Sequence, residues 1–141
     1  YIDLFILPTH YMTDGGQIYK TFHPSRLMGL YDNLNTDTLV DFVNSLGASK
    51  EKIVISLMTN AYKFHLNKKY DNGPSASSLD KEPTPINREE LCRLITSNGE
   101  WTIERDEDST APYAFNKSIW IAFEDNTSAI IKVLQSEFTK L

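Results

Sequence analysis

The segment KIVISLM, residues 52–58, is an apolar, β-branched run that fits a strand buried on both faces. A similar run, IDLFIL at residues 2–7, lies upstream and ends at Pro8. Strands of this kind are typical of parallel sheets, whose faces are covered by helices. The two runs therefore predict neighbouring strands of an α/β fold.

The stretch between the two strands predicts a helix. NTDTLVDFVNSLGAS, residues 35–49, offers an N-cap at Asn35 or Thr36 and a stop at Gly47. Its apolar residues recur at helical spacing, at Leu39, Val40, Val43 and Leu46. A strand, a helix and a second strand in this order predict a parallel, right-handed crossover unit.

After residue 66 the pattern changes to a polar loop rich in Pro and Ser. The rest of the chain predicts a small α+β module and a closing helix, with a helix over 86–95, a strand over 100–108, a hairpin of 111–115 and 118–124, and a helix over 126–141 capped by Asn126 or Thr127. These elements cannot cover two parallel strands with both faces apolar, so we expect the chain to be part of a longer protein. A self-contained α+β binding domain is the alternative, and it would fold alone.

Composition excludes several classes of function. The 141 residues are 40% hydrophobic, which suffices for a packed core, and the net charge of -5 with scattered Lys and Arg argues against a nucleic-acid partner. No apolar run approaches the roughly 20 residues of a membrane span. The single Cys92 can form neither a disulfide within the chain nor, without other ligands at suitable spacing, a zinc site. We expect no metal and no cofactor.

Three segments resemble the C-terminal half of family-18 glycoside hydrolases, the chitinases and chitinase-like lectins. APYAFNKSIWIAFED, residues 111–125, resembles that family's PYAY…QWVGYDD hairpin; KIVISLMTNAYKFHL, residues 52–66, resembles KLVLGIPTYGRSFTL; and YIDLFILPTHYM, residues 1–12, resembles YVNLMTYDFHG. The matching positions are Tyr1, Leu4, His10, Lys52, Val54, Thr59, Phe64, Leu66, Pro112, Tyr113, Trp120, Phe123 and Asp125. Together the segments span nearly the whole chain.

The resemblance implies part of a (β/α)8 barrel. Residues 1–66 would hold barrel strands six and seven with their loop and helix, residues 67–125 the inserted α+β domain that walls the cleft, and residues 126–141 a barrel helix. The remainder of the same barrel, in other segments or a companion chain, is therefore an expected partner. Active sites of such barrels lie at the C-terminal ends of the strands, which places residues 7–10 and 58–62 at the mouth.

Departures from the family pattern bear on function. Family-18 enzymes use the acetamido oxygen of the substrate as nucleophile and a glutamate from a DxxDxDxE motif as general acid, and that motif does not occur here. A Tyr-Asp pair that holds the acetamido group is replaced by Leu7 and Pro8, neither of which can donate a side-chain hydrogen bond or carry charge. The resemblance thus implies a catalytically inactive chitinase-like protein, with a processed fragment of an active chitinase as the alternative.

The candidate ligand-binding residues at the cleft are His10, Thr59, Asn60, Tyr62 and Trp101. By resemblance they would face chitin or N-acetylglucosamine oligosaccharides, in a protein that binds glycans weakly or serves as a structural partner. Two of them have an alternative role: His10 as a hydrogen-bonding residue of the strand end, and Trp101 as a core residue of the inserted module.

Other polar residues favour structural roles. His23 resembles a histidine of the family's long loop, and His65 has no carboxylate or Cys near it in the sequence. The acidic run ERDED, residues 104–108, lacks the Gly and the terminal Glu of a calcium loop, which predicts a solvated turn.

Two features predict a secreted glycoprotein. NKS at Asn116 and NTS at Asn126 are N-glycosylation sequons. Cys92, in EELC, resembles a family cysteine that pairs with one near the chain terminus. The resemblance therefore implies a disulfide to a partner outside this chain, against the alternative of a small buried hydrophobe.

Overall fold

The computed structural model describes residues 2–30, 33–97 and 99–138. Tyr1, which is matched in the resemblance, and residues 139–141 of the predicted closing helix lie outside the described residues. The elements are β1 (Phe5–Leu7), α1 (Thr36–Ser45), β2 (Ile53–Ile55), β3 (Ala61–His65), β4 (Thr84–Ile86), α2 (Arg88–Thr96), β5 (Thr102–Asp106), β6 (Ala111–Phe115), β7 (Ile119–Ala122) and α3 (Asn126–Phe138). None of the described helices is long and apolar enough to cross a membrane.

The strands β1 and β2 pair in parallel, and α1 lies between them in the chain, which confirms the predicted parallel pairing. Both strands are shorter than predicted. A 3-10 turn at Lys50–Lys52 occupies the residues before β2, and the parallel ladder holds only the three residue pairs from Phe5–Ile53 to Leu7–Ile55. The two strands thus form a short ladder whose carboxyl ends lie side by side.

The remaining strands form one antiparallel sheet in the order β4-β3-β7-β6-β5. The predicted hairpin is confirmed as β6 and β7. β3 falls within the range 1–66 that the resemblance gives to the barrel strands, but it pairs with β4 and β7 in the larger sheet. Lys63 in β3 and Pro85 in β4 obscure the apolar alternation of these strands in the sequence. The division of the chain at residues 66 and 125 stays a prediction.

The larger sheet has a hydrophobic cluster on each face because successive side chains of a strand point to opposite sides. On one face the ring of Phe22, from the long loop after β1, lies 5.4 Å from Phe64, which lies 5.5 Å from Trp120. The other cluster is covered by α2 and contains Ala61, Ile86, Leu91, Ala114, Ile121 and Phe123. The long loop is therefore part of the core, and it attaches the larger sheet to the β1 end.

Helix caps agree with the sequence at α1 and differ at α3. Asn35 caps α1 by accepting a backbone N–H at 2.9 Å. At α3 the prediction of Asn126 or Thr127 is wrong, since Asp125 Oδ1 accepts the N–H of Ser128 at 2.8 Å and Ser128 Oγ accepts the N–H of Asp125 at 3.0 Å. This reciprocal pair satisfies two backbone donors, whereas a cap one residue later would satisfy one.

Candidate functional site

The carboxyl ends of β1 and β2 are joined by side-chain hydrogen bonds. Thr9 Oγ1 donates to the carbonyl of Ser56 at 2.8 Å and accepts its N–H at 3.0 Å. The backbone N–H of His10 donates to Ser56 Oγ at 3.2 Å, and His10 Nδ1 lies 2.8 Å from the same oxygen. Ser56 Oγ donates to the carbonyl of Leu7 at 3.2 Å. We call these four residues the strand-end cluster, and its polar groups bond one another.

Leu7 and Pro8 place no hydrogen-bonding side chain at the strand end. Leu7 is half-buried and Pro8 is exposed. The N–H of Thr9 donates to the carbonyl of Leu7 at 2.9 Å, so the chain turns tightly at Pro8, whose fixed φ suits such a turn. Leu7 and Pro8, at the positions where the family pattern has a Tyr-Asp pair, therefore contribute an apolar side chain and a turn.

The candidate ligand residues divide into two groups. Thr59 and Asn60 are exposed in the link between β2 and β3, and Tyr62 is half-buried at the second residue of β3. Trp101 comes directly before β5 and packs on the cluster that α2 covers, whereas Tyr62 packs on the opposite face of the sheet. Trp101 thus contacts core residues, which favours its packing role. The ligand-binding roles of all these residues, and of the exposed His10, stay predictions.

Tyr11 is a residue at the mouth that the sequence did not single out. Its ring centroid lies 4.9 Å from that of Tyr62 and 6.5 Å from that of Phe22. Burial raises the pKa of Tyr11, and the nearby Tyr62 and Glu82 raise it further; burial also raises the pKa of Tyr62. Both phenols are therefore neutral near pH 7. The contact joins residues far apart in the chain, so no local pattern could have revealed it.

The two other histidines have structural partners. His23 is buried, with Nε2 2.8 Å from the carbonyl of Phe123 and Nδ1 accepting the N–H of Ser25 at 3.2 Å. Burial lowers the pKa of His23 to about 3, and the hydrogen bond to Phe123 only partly opposes this shift, so the ring is neutral at pH 7. His65 Nδ1 lies 2.9 Å from Asp80 Oδ2, a carboxylate that is 15 residues away in the sequence.

A buried ion pair connects three segments of the fold. Lys132 Nζ in α3 donates to Glu124 Oε2 at 2.6 Å and to the carbonyl and Oγ of Ser25 at 2.7 and 2.8 Å. Burial lowers the pKa of Lys132, and the Glu124 carboxylate opposes that shift. We call these residues the Ser25–Glu124–Lys132 cluster. It fixes the long loop and the end of β7 to α3, and no sequence pattern indicated it.

Several side chains of the acidic run 104–108 bond to nearby residues of the fold. The hydroxyl of Tyr113 donates a hydrogen bond to Glu104 Oε2 at 2.7 Å, and the hydroxyl of Ser109 donates one to Asp106 Oδ2 at 2.6 Å. Arg105 forms an ion pair with Asp125 at 2.5 Å. In the described ranges, no group of three or more His, Cys, Asp or Glu residues is placed to hold a metal ion.

The candidate modification sites are accessible. Cys92 is exposed on α2, which does not fit the alternative of a buried hydrophobe. Its disulfide partner outside the chain stays a prediction. Asn116 lies in the turn between β6 and β7, and Asn126 is the exposed first residue of α3.

Sequence comparisons agree with this fold. The model of the family described as glycosyl hydrolases family 18 matches residues 1–137. Over 128 residues the chain is 30% identical to a Drosophila melanogaster protein named "Probable chitinase 10", and the match covers 80% of this chain and 6% of that protein. The chain therefore corresponds to a small part of this relative.

Solved structures with the same fold include the Group IV chitinase of Ostrinia furnacalis, with a TM-score of 0.85 and 22% identity over 100% of this chain and 42% of that chain. The class V chitinase of Nicotiana tobaccum has a TM-score of 0.87 at 16% identity, over 99% of this chain and 42% of the other. A family-18 N-acetylglucosaminidase of Paenibacillus barengoltzii has a TM-score of 0.84 at 26% identity, again over 99% and 42%.

The chain thus spans less than half of each of these structures, and its architecture is an α/β fold that forms part of a (β/α)8 barrel, as predicted. Since the family model covers residues 1–137, the chain belongs to glycosyl hydrolase family 18.

Proposed function

We propose that the protein carrying this chain is a secreted chitinase-like protein that does not hydrolyse chitin and that binds N-acetylglucosamine oligosaccharides weakly at the mouth. The observation that carries the proposal is the pair Leu7 and Pro8 at the carboxyl end of β1. In the family that the chain resembles, a Tyr-Asp pair at this position holds the acetamido group of the substrate.

The loss of these two groups is expected to be severe because catalysis depends on groups that are already placed where charge develops. Removing a single such hydrogen-bond donor costs about 100- to 1,000-fold in rate in other hydrolases. The neighbouring Thr9, His10 and Ser56 bond one another and Leu7. Engaged in this way, these three side chains are poor substitutes for the missing pair.

Weak sugar binding is supported by the exposed side chains at the mouth. Thr59 and Asn60 are exposed, and Tyr62 is half-exposed beside Tyr11. A variant of the Nicotiana tobaccum chitinase was solved in complex with NAG4, and a variant of the Cycas revoluta chitinase in complex with (GlcNAc)4. We infer that a similar oligosaccharide is the ligand here.

The full-length protein is expected to release no chromophore above the buffer rate from a chromogenic chito-oligosaccharide. If the double variant Leu7→Tyr, Pro8→Asp hydrolyses the substrate, the residues at the end of β1 are the cause of the missing activity in the unmodified protein. Leu79→Tyr, which adds a tyrosine at an exposed loop position, is the control. Turnover by the unmodified protein that disappears when a barrel glutamate is replaced would contradict the proposal and favour an active chitinase.

Secretion is expected to leave a glycan at Asn116. Asn116 Oδ1 accepts the N–H groups of Ser118 and Ile119 at 3.0 and 2.8 Å, so a glycan on the amide nitrogen leaves the turn intact. In the second sequon Ser128 is buried and bonded to Asp125. The mass lost on enzymatic deglycosylation of the secreted protein should fall by one glycan in Asn116→Gln and stay unchanged in Asn126→Gln. An unchanged loss in Asn116→Gln would contradict this assignment.

A further inference from the structure

The strand β5 forms one edge of the larger sheet. In the order β4-β3-β7-β6-β5 it has a neighbour on one side only, the strand β6. Its first three residues are exposed, and the apolar side chain of Ile103 is 57% exposed. The opposite edge, β4, is shorter and contains Pro85, which has no backbone N–H. β5 is therefore the edge that is better able to pair with another strand.

The register of the sheet shows which backbone groups of β5 face outward. The carbonyl of Pro112 in β6 accepts the N–H of Phe123 at 3.4 Å, so Pro112 faces β7. Because successive residues of a strand bond to opposite sides, the residues before and after Pro112 face β5. Their register partners are the alternate residues Thr102, Glu104 and Asp106. The N–H and C=O groups of Ile103 and Arg105 thus point away from the sheet, and within the described ranges they have no other backbone partner.

The carboxylates at the end of β5 lie without a basic partner. Glu104 and Asp106 belong to the strand, and Glu107 and Asp108 follow in the turn. In the part of the chain that the structure describes, none of the ion pairs involves these four residues. Arg105 lies among them but pairs with a carboxylate after β7. This end of the edge is therefore negatively charged.

A cavity of about 220 Å³ adjoins the acidic end of β5. Asp106 and Asp108 lie on one side of it, and Met28 and Leu30 of the long loop are also part of its wall. Trp120, which is fully buried, lines the cavity as well, and its indole N–H has no acceptor among the described residues. Because buried indole N–H groups normally have an acceptor, this end of the sheet is incomplete as it stands.

We propose that an extended, basic segment of a partner protein binds along β5 as an additional strand of the larger sheet. Its backbone pairs with the outward groups of Ile103 and Arg105, and its Lys or Arg side chains pair with Glu104 and Asp106. This interaction is separate from sugar binding at the mouth and does not depend on it.

A basic segment fits both the backbone and the side chains of this edge. In strand addition, main-chain hydrogen bonds hold the segment, and its alternate side chains give specificity. The side chains of Glu104 and Asp106 share one face of β5, whereas that of Ile103 lies on the other face. The segment should therefore carry basic residues at alternate positions, with apolar residues between them. A Lys or Arg side chain also fits the cavity, where its stem meets apolar residues and its charge meets carboxylates.

A second copy of the chain fits the edge less well. In an antiparallel pair that joins Ile103 with Arg105 of the copy, Glu104 lies directly opposite Glu104 of the copy. Like charges in this position destabilise a strand pair. The charge of the edge therefore favours a basic partner over self-association.

The backbone part of the proposal is tested by fluorescence anisotropy, with the full-length protein and a short labelled peptide of alternating Lys and Val. Ile103→Pro removes an outward N–H that takes no part in the ladder with β6, so the sheet is expected to persist. Binding should weaken about tenfold, the upper value for one hydrogen bond. Ile103→Thr keeps the N–H and is the matched control, with an expected change of about twofold or less.

The charge part of the proposal is tested with the same peptide. Glu104→Gln with Asp106→Asn keeps acceptor oxygens for Tyr113 and Ser109 but removes both charges. Binding should weaken roughly 3- to 30-fold, the sum of two exposed ion pairs. The control Asp41→Asn with Glu51→Gln removes two exposed charges outside the sheet and should bind like the unmodified protein. A peptide of alternating Glu and Val should not bind.

Several results would overturn the proposal. These are the absence of saturable binding of the Lys and Val peptide, unchanged binding by Ile103→Pro, and unchanged binding by the double variant of Glu104 and Asp106. A dimer of the full-length protein in sedimentation that Ile103→Pro dissociates would assign the edge to a second copy instead. If thermal melts show Ile103→Pro to be unfolded, Ile103→Lys decides, because a lysine on this exposed edge repels the basic peptide and should weaken its binding.

Discussion

Replacing Lys132 with methionine is expected to lower the free energy of unfolding by about 3 to 5 kcal/mol, the usual cost of leaving one charge of a buried ion pair without its partner. The side chains of Lys132 and Glu124 are only 3% and 7% exposed. Without the ammonium group, Glu124 Oε2 loses its partner, and Glu124 Oε1 already has none among the described residues. Ser25 loses two hydrogen bonds as well. The loss is therefore expected to exceed that of almost any surface substitution.

Guanidinium unfolding of the full-length protein measures this effect. Lys117→Met is the matched control, because Lys117 pairs with Glu100 at 3.9 Å with side chains that are 78% and 91% exposed, and exposed pairs contribute roughly 0 to 1 kcal/mol. The double variant Lys132→Met, Glu124→Leu removes both charges and should regain much of the loss. Equal midpoints for Lys132→Met and Lys117→Met would show that the buried pair contributes nothing to stability.

Residues 1–141 expressed alone are expected to aggregate or to form a molten state. Ile6 and Val54 lie opposite each other in the register of β1 and β2, and they are 73% and 40% exposed on one face of the parallel ladder. Parallel strands are found with both faces covered, and an isolated two-stranded ladder is marginally stable at best. In a (β/α)8 barrel one face of each strand is covered by side chains of the other strands and the other face by helices.

The isolated chain can be tested by near-ultraviolet circular dichroism and binding of a hydrophobic dye. Weak near-ultraviolet signals with strong dye binding, while the far-ultraviolet signal persists, are expected of a molten state. Ile6→Thr with Val54→Thr should reduce aggregation by making the bare face polar. A monomeric, cooperative melt of the unmodified chain would contradict the prediction and support a self-contained domain.

The sequence predicted the helices and strands that depend on residues close together in the chain. The helix α1 follows from Asn35 and the stop at Gly47, and the hairpin from the alternation on both sides of Asn116. Strands β3 and β4 were less visible because their pairing depends on β7, and polar Lys63 interrupts the apolar pattern. The capping carboxylate of Asp125 was missed for a different reason: the residue belonged to the matched hairpin segment, and its reciprocal bond with Ser128 becomes evident only in three dimensions.

The site was less predictable than the fold because its contacts link distant residues. The resemblance drew attention to Leu7 and Pro8, but it could not show how Ser56 joins the two strand ends. Tyr11 meets Tyr62 only after the long loop has packed on the larger sheet. The partners of His65 and Lys132 likewise come from other segments. The chemistry of a side chain does not by itself identify such residues, because their roles depend on neighbours in space that the sequence does not reveal.

The Ser25–Glu124–Lys132 cluster also determines how freely the chain can change over evolution. Each of the three positions is buried and bonded to another, so a substitution at one position leaves a polar group of another without its partner. Single substitutions here should be selected against, whereas paired changes at 124 and 132 remain acceptable. Among homologous sequences, these two positions should therefore vary together while the exposed positions of α3 diverge independently.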